Sequence, residues 1–264
     1  MDTTNTNIAH SYSEGGPLAD PALNYLPDAL VNALQLSRHR RVQINRGRSM
    51  IAPGQNVDSV FLIAEGWAVA RLRIQTGDTQ ILDILGPGSI AGLSRLEDAP
   101  NPGYSAIALQ EVYAYPIDIR RLLDVCAQDP SLLAWLTDMQ SREAKRAQRH
   151  IAALGRLPAR GRLAFAMLRI IDVAQQTGAS AVDTQIRLPM TQEEIGNMLG
   201  LTNVSISKLM SAFRKEGLID YGRNRILVHD IAALSEISGM QLEANAGPAS
   251  TPSMSSGTLA FRST

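Results

Sequence analysis

The chain has 264 residues and no formal net charge; 45% of its residues are hydrophobic, but only 5% are aromatic. Its single cysteine, Cys126, excludes an intramolecular disulfide and any four-cysteine zinc or iron–sulfur site. No uncharged apolar run reaches the ~18 residues of a transmembrane helix, and residues 1–10 lack the basic and apolar regions of a secretory signal. We therefore expect a cytoplasmic protein that does not engage a membrane.

The neutral total conceals a polarity along the chain. Residues 1–141 hold 10 Lys and Arg against 15 Asp and Glu, whereas residues 142–264 hold 15 against 10. A basic half can attract a polyanion such as nucleic acid, although an accidental asymmetry would give the same counts.

The two ends of the chain are rich in small polar residues and have no hydrophobic period. Residues 1–21 and 242–264 bury too little apolar surface to offset the loss of chain entropy on folding. We predict two disordered tails around a folded part.

The first folded segment, residues 22–128, has the texture of an all-β domain. Short apolar runs alternate with glycines, as at 59–63, 68–74 and 80–85. Strands of about five residues with a turn signal about every ten residues are typical of a small roll or barrel. Gly77 lies between two such runs and marks a hairpin turn.

A long helix is predicted to follow over residues 129–154. Asp129 and Pro130 provide a helix start, and residues 132–154 contain neither Gly nor Pro, which corresponds to roughly 34 Å of helix. Glu143 interrupts an apolar stripe that consists of Leu132, Leu136, Met139, Ala147, Ile151 and Leu154. Such a stripe needs a partner surface, either a second copy in a homodimer or the chain's own domains, and the pattern favours the homodimer.

Residues 155–241 contain the most informative pattern. A helix predicted over 159–177 is followed by a capping box, because Glu194 stands three residues after Thr191. Gly200 ends the helix that starts there, and Thr202 caps the next one. The buried side of that second helix is predicted to consist of Ile206, Leu209, Met210 and Phe213. Two short helices joined by a three- to four-residue turn form a helix-turn-helix, and the strands that follow, with a basic tip, form a wing.

The outward side of the second helix and the wing carry residues suited to DNA. A helix N-terminus in the major groove brings short polar side chains to base edges and N–H groups to phosphates. Asn can read adenine, Lys can reach guanine or phosphate, Ser serves either, and Arg suits phosphate. The candidates are Asn203, Ser205, Ser207, Lys208 and Ser211 on the helix and Arg223 and Arg225 on the wing. A helical hairpin without a DNA role stays open, and Arg214 and Lys215 are either contacts or solvated charges.

This order of parts resembles the Crp/Fnr superfamily of bacterial transcription regulators over residues 22–240. The resemblance rests on Gly66 and on residues 50–55, 60–63, 86–90 and 199–204. It implies an α+β fold: an N-terminal cyclic-nucleotide-binding-type β-roll (a jelly-roll-like double-stranded β-helix), a dimerisation helix over 129–154 and a C-terminal winged helix-turn-helix. It also implies three partners, namely double-stranded DNA, a second copy of the chain and RNA polymerase.

The resemblance also assigns individual contacts. Base contacts fall to Asn203, Val204, Ser205 and Lys208, whereas Thr191, Gln192 and Ser207 face the DNA backbone. Together with Thr202, Arg223 and Arg225, these residues make up the predicted DNA-binding set. Smaller serines at 205 and 207 and Lys208 in place of Arg depart from many relatives, so the target sequence does not carry over.

The sensor domain departs further from the family pattern. Relatives that bind cyclic AMP place a Glu on the ribose and an Arg on the cyclic phosphate, and these positions correspond to Gly92 and Tyr104. Without the Arg, no charge-assisted contact offsets phosphate desolvation, so we do not expect cyclic AMP binding. Either a different ligand binds near Gly92, Leu93, Tyr104 and Ser105, or the roll binds nothing.

No cofactor is predicted. The oxygen-sensing branch of the family needs several cysteines for its iron–sulfur cluster, and this chain has one. Haem stays an open possibility that no residue supports, because His10 and His39 precede the predicted strands of the roll, His150 lies on the long helix and His229 lies near the wing.

The sequence favours a homodimeric regulator that binds palindromic promoter sites. Two recognition helices about 34 Å apart would read half-sites in successive major grooves. The alternative is a small-ligand sensor module that acts on a protein partner and retains vestigial DNA binding. An enzyme has no support, because no catalytic triad, metal-ligand or phosphate-loop spacing is present.

Overall fold

The computed structural model describes residues 11–12, 20–53, 58–75, 77–96, 103–175, 185–222 and 224–240. The tail predicted over 242–264 lies outside these residues, and so does the tail over 1–21 except at 11–12 and 20–21. Within the segment 1–21, strand β1 (Ser11–Tyr12) pairs with Val42 and Gln43, and Asp20 caps a 3-10 helix that begins at Pro21. Backbone hydrogen bonds and a side-chain cap hold these residues in place, and neither interaction produces a hydrophobic period in the sequence.

Two antiparallel sheets form the roll. After helix α1 (Asp28–Ala33), its strands are β2 (Val42–Ile44), β3 (Ser49–Ile51), β4 (Ser59–Glu65), β5 (Ala68–Arg73), β6 (Thr79–Leu85), β7 (Ile90–Ala91), β8 (Ser105–Ala108) and β9 (Val112–Asp118). The strand orders are β1-β2-β9-β4-β7 and β3-β8-β5-β6. Strands β2 to β9 all contribute aliphatic side chains such as Ile51, Ile63 and Val112 to the core between the sheets. The predicted roll is confirmed.

Helices cover the outer side of β4 and β9. Here α1, α2 (Ile119–Gln128) and the first turns of α3 (Pro130–Arg156) form a buried cluster with the sheet. Leu62 and Ile117 of the strands share this cluster with Leu122, Cys126 and Trp135 of the helices. Burial raises the pKa of the Cys126 thiol and keeps it in the protonated, unreactive form.

The long helix α3 has two apolar faces rather than the single predicted stripe. Leu132 and Leu136 are buried against the roll of the same chain, whereas Ile151 is 70% exposed. The prediction was wrong because the eight residues from Met139 to Ala147 advance the helix by about 80° beyond two full turns. We call the exposed side the outward face of α3; it consists of Leu133, Thr137, Gln140, Ala144, Ala147 and Ile151.

The C-terminal part is a winged helix. Its elements are α4 (Ala159–Gln175), β10 (Gln185–Arg187), α5 (Gln192–Leu199), α6 (Asn203–Lys215), β11 (Ile219–Gly222), β12 (Arg225–Val228) and α7 (Ile231–Ser238). The three strands pair in the order β10-β12-β11. Leu163, Ile195, Phe213 and Leu234 lie in a shared core, so α4 to α7 pack together. The predicted α+β fold with a roll, a long helix and a winged helix-turn-helix is confirmed.

The roll and the winged helix are joined by one continuous hydrophobic core, which we call the junction. Trp67 and Ile81 of the roll belong to the same buried cluster as Met198 of α5 and Ile170 of α4. The backbone at residue 86 comes so close to α4 that a Cβ added to this glycine would lie 2.3 Å from Val173 Cγ1. A side chain at position 86 would therefore clash with Val173 unless that side chain or the backbone moved.

Asp83 of β6 connects three parts of the chain at the junction. Its carboxylate accepts a hydrogen bond from Arg146 Nε of α3 at 3.2 Å and from Arg169 Nε of α4 at 2.8 Å. Arg169 also pairs with Asp172 and donates to the carbonyl oxygen of Ile84 at 3.0 Å. Burial alone would raise the pKa of the Asp83 carboxyl, but the two arginines hold it below its ordinary value.

Substituting Asp83 by Asn leaves two arginines, whose side chains are only 20% and 10% exposed, against a neutral amide. We expect Asp83→Asn to lower the free energy of unfolding by about 3 kcal/mol at pH 7, measured by urea denaturation. A depressed pKa contributes stability above the unfolded-state value, and this is lost as the pH falls through the folded-state value. The difference between variant and wild type should therefore shrink below about pH 4.

Asp138→Asn provides the control, because Asp138 forms an exposed pair with Arg142 and should contribute less than about 0.5 kcal/mol. Equal losses in the two variants, or a loss that is the same at pH 7 and pH 3, would contradict the role assigned to Asp83.

Candidate DNA-binding interface

The first helix of the motif, α5, begins with the predicted capping box. The Thr191 hydroxyl accepts a hydrogen bond from the backbone N–H of Glu194 at 3.1 Å, and the Glu194 carboxylate accepts one from the N–H of Thr191 at 2.7 Å. Each partner satisfies a backbone donor that a helix start leaves without an intrahelical acceptor. Thr191 is exposed and Gln192 is half-buried beside it.

The turn between α5 and α6 depends on two glycines. Gly200 adopts a left-handed conformation with φ +62°, which ends α5. At Gly196, an added Cβ would lie 2.5 Å from the carbonyl oxygen of Leu201, so only glycine lets the two helices come this close. The N–H of Leu201 donates to the carbonyl oxygen of Gly196 at 3.0 Å and fixes the crossing.

The second helix, α6, presents most of the predicted residues to solvent. Thr202 accepts a hydrogen bond from the N–H of Ser205 at 3.2 Å as its cap, while Ile206, Met210 and Phe213 are buried on the inner side. The outward face of α6 consists of the exposed residues Thr202, Asn203, Val204, Ser207 and Lys208. Val204 is 65% exposed, although it is apolar.

Two of the predicted serines are engaged within the protein. The Ser205 hydroxyl lies 2.9 Å from the Thr202 hydroxyl and is half-buried. The Ser211 hydroxyl donates to the carbonyl oxygen of Ser207 at 2.9 Å and lies 3.3 Å from the Tyr221 hydroxyl. Fewer of the predicted hydroxyl groups are therefore exposed on α6 than the sequence indicated.

The wing is held to α6 by Arg214. Its guanidinium lies 3.8 Å from the centre of the Tyr221 ring, pairs with Asp220 at 3.2 Å and donates to the Tyr221 carbonyl oxygen. From the sequence, Arg214 was either a DNA contact or a solvated charge. In the structure it is neither of these but a link between α6 and the wing. Arg225 is exposed at the start of β12, whereas Arg223 lies outside the described residues.

Two further arginines support the motif and were missed from the sequence. Arg160 lies over the Phe213 ring, 5.0 Å from its centre, and pairs with Glu216, whose pKa is lowered by this hydrogen bond. Arg162 donates to the carbonyl oxygens of Leu157 at 3.0 Å and Leu199 at 3.2 Å, near the C-terminal ends of α3 and α5. Both lie on α4, far from the motif in sequence, so no local spacing signals them.

Of the four residues predicted to surround a sensor ligand, the structure brings Gly92 and Tyr104 into direct contact. The Tyr104 hydroxyl accepts a hydrogen bond from the N–H of Gly92 at 3.0 Å, next to buried Leu93, while Ser105 pairs with Arg71 in the sheet. Burial raises the pKa of Tyr104, and the nearby Glu143 carboxylate raises it further. Burial also raises the pKa of Glu143 to about 7.

These residues do not fit a cyclic nucleotide held through its phosphate. At the position that the resemblance gives to the phosphate-binding Arg, Tyr104 offers a neutral hydroxyl, and the Glu143 carboxylate, which is close enough to raise the pKa of Tyr104, would repel an anion. A side chain at position 92 also lacks room, because a Cβ there would lie 2.5 Å from Ile51 Cδ1. Gly92 itself has φ +98°, a conformation that favours glycine.

Among the residues that the structure describes, no group of three His, Cys, Asp or Glu side chains could hold a metal ion. Within the same residues, none of the helices combines the length and the hydropathy needed to cross a bilayer.

Comparison with known proteins identifies both domains. Residues 161–237 match the family described as the Crp-like helix-turn-helix domain, and residues 41–129 match the cyclic nucleotide-binding domain. The transcriptional regulatory protein btr of Bordetella pertussis is 30% identical over 201 residues, which cover 76% of this chain and 82% of that protein. The fumarate and nitrate reduction regulatory protein of Escherichia coli K12 is 28% identical over 200 residues, 76% and 79% of the two chains.

A solved structure shows the same fold. FixK2 from Bradyrhizobium japonicum superposes with a TM-score of 0.66 over 75% of this chain and 96% of its own, at 22% identity. The relatives are transcription regulators rather than enzymes. Their regulatory role does not favour the alternative function, a sensor module that retains only vestigial DNA binding. The chain belongs to the Crp/Fnr family and is a DNA-binding transcription regulator.

Proposed function

We propose that this regulator binds palindromic promoter DNA as a homodimer, with the N-terminal half of α6 in the major groove. The outward face of α6 carries this proposal, because its polar side chains are exposed at the start of a helix. That end of a helix presents N–H groups and a partial positive charge to phosphates. In the cell such a protein acts in the cytoplasm, where the chromosome lies, and RNA polymerase is the partner that the family resemblance implies.

Base reading is assigned to Asn203, Val204, Ser205 and Lys208. Asn203 can bond adenine at two positions, and Lys208 can reach guanine or a phosphate. Val204, which is 65% exposed, can contact the methyl group of thymine, the apolar feature of the major groove. Because the Ser205 hydroxyl already contacts the cap, we give it a minor part in reading bases.

Contacts with the sugar-phosphate backbone of DNA position the protein but do not distinguish one base sequence from another. We assign them to Thr191, Gln192, Thr202 and Ser207 around the turn and to Arg223 and Arg225 of the wing. Arg214 is excluded from this set because it ties the wing to α6.

The outward face of α3 supplies the dimer contact in this proposal. Its positions follow one another at alternating steps of four and three residues, the spacing of a two-stranded coiled coil. Leu133 and Ile151 are large and exposed near its two ends, and Ala144 and Ala147 between them let two helices approach closely. A two-fold axis through this face would present two copies of α6 to a palindrome.

The roll in this proposal does not bind cyclic AMP. Tyr104 and Gly92 bond to each other where relatives would hold the nucleotide, and Glu143 adds a carboxyl beside them. A ligand of different chemistry, or regulation by protein abundance alone, fits these residues better.

Asn203→Ala and Arg225→Ala should weaken DNA binding in different ways. With a duplex selected from a random library, Asn203→Ala should cost about 1–3 kcal/mol on the selected site and little on a site mutated at one base pair. Arg225→Ala should weaken binding to both duplexes alike and reduce the salt dependence by about one ion.

Fluorescence anisotropy at several stated salt concentrations measures both effects. Asn32→Ala, at an exposed asparagine of α1, is the matched control and should leave affinity unchanged. Equal losses on the two duplexes for Asn203→Ala would contradict a base-reading role.

Ile151→Glu should dissociate the dimer. The two-fold axis would bring two copies of the new charge together, so we expect the dimer dissociation constant to rise by about 100-fold or more. Analytical ultracentrifugation measures this, with circular dichroism as the check on folding. Leu123→Glu on α2, at a leucine that is 38% exposed, should leave the dimer intact; dissociation by both variants or by neither would speak against the outward face of α3.

Cyclic AMP should leave the thermal unfolding midpoint unchanged. A ligand that binds the folded state raises the midpoint in proportion to the logarithm of its concentration over its dissociation constant. Differential scanning fluorimetry with cyclic AMP up to ~1 mM tests this, and a saturable upward shift would show that the pocket opens despite Tyr104.

A further inference from the structure

Val204 is the one apolar side chain on the outward face of α6. It is the second residue of the helix, and 65% of it is exposed. The residues that α6 buries are Ile206, Met210 and Phe213. Val204 is not among them and adds little to the hydrophobic core. Its isopropyl group is therefore available to an apolar partner outside the chain.

The polar groups around Val204 do not suit the amino group of cytosine. Glu and Asp are the side chains that accept from this group in the major groove, and α6 contains neither over Asn203–Lys215. The Ser205 hydroxyl lies 2.9 Å from the Thr202 hydroxyl and is half-buried, so it is already engaged. We therefore expect a pyrimidine beside Val204 to be read through its apolar part.

The 5-methyl group is the apolar feature that a pyrimidine can present in the major groove. Thymine carries it beside the O4 acceptor, and cytosine lacks it. Methylation of cytosine at C5 places the same group at the same position of the ring. Cytosine and 5-methylcytosine share their amino group, so any difference in their binding isolates the methyl contact.

Lys208 lies one helical turn beyond Val204 on the same side of α6. The two residues are about 6 Å apart along the helix axis, whereas base pairs are about 3.4 Å apart along DNA. Their side chains can therefore reach base pairs within about two steps of each other. Because Lys208 can bond guanine, the pair suits a methylated pyrimidine that lies close to a guanine.

We propose that Val204 is a specificity-determining residue that reads the 5-methyl group of a pyrimidine in each half-site, and that it accepts thymine and 5-methylcytosine through the same contact. This inference rests on the proposed function, because it requires α6 to lie in the major groove. It goes further, since methylation of a cytosine at this position would strengthen binding without any change of base sequence. Binding of the regulator would then depend on the methylation state of such a promoter.

The first experiment locates the contacted base. Duplexes are selected from a random library with the full-length wild type and with Val204→Ala, and circular dichroism checks the fold of the variant. We expect one position in each half-site where the wild type prefers thymine and Val204→Ala does not. The same thymine preference in both proteins would overturn this inference alone, whereas selection of no site by either would overturn the proposed function with it.

The second experiment isolates the methyl group. Four palindromic duplexes differ only at the located position, which holds thymine, uracil, cytosine or 5-methylcytosine in both half-sites. Burial of one methyl group is worth about fourfold in affinity, so two half-sites should favour thymine over uracil by roughly 15-fold, and 5-methylcytosine over cytosine by a similar factor. For Val204→Ala we expect both ratios to fall below about twofold, measured by fluorescence anisotropy at one stated salt concentration.

Asn203→Ala is the matched control on the same face of α6. It should weaken binding to all four duplexes but leave both methyl ratios as in the wild type. Equal affinity of the wild type for thymine and uracil, or a methyl effect that persists in Val204→Ala, would overturn the role of Val204. Preference for thymine over uracil without preference for 5-methylcytosine over cytosine would overturn the shared contact. Site-specific DNA binding remains in each of these outcomes, so they differ from failure of the proposed function.

Discussion

The shared carboxylate of Asp83 is the interaction on which the arrangement of domains depends. It lies on β6, the edge strand of the roll, and receives Arg146 from the long helix and Arg169 from the winged helix. Three segments distant in sequence thus meet at one anion. A buried charge pair is worth little as a source of stability but is costly to break, so it fixes which surfaces may face each other. The hydrophobic core around Ile81 and Met198 then supplies the attraction.

The two faces of the long helix α3 have different roles. Its inner side serves the chain itself, first against the roll through Leu136 and then at the junction through Arg146 and His150. Its outward face is left for a second copy in the proposed dimer. A shift of the helix would act on both sides at once, and two states that differ in such a shift would couple the roll to the spacing of the recognition helices.

Features set by neighbours in sequence were predictable. The capping box at Thr191 and Glu194, the left-handed glycine at 200 and the inner side of α6 depend on residues a few positions apart, and the structure has them as predicted. The roll followed from short strands and regularly spaced glycines. The single stripe on α3 failed because a helix repeats every 3.6 residues and the assumed spacing drifted between Met139 and Ala147.

Features set by distant residues were not predictable. Nothing local indicates that Arg214 stacks on Tyr221, or that Arg162 reaches the carbonyl of Leu199. The departures at Gly92 and Tyr104 were visible in the sequence, but the hydrogen bond between them appears only when β7 and β8 are placed in the roll. Long-range partners of this kind need the fold first, because many arginines in a sequence look alike.

The hydrogen bond between Tyr104 and Gly92 limits the chemistry of any molecule that could bind in the roll at that point. An incoming compound must push the phenol aside and then offer an acceptor of its own to the backbone N–H, since a buried donor left bare is costly. Near the Glu143 carboxyl, an uncharged carbonyl or ether oxygen meets that demand better than an anion.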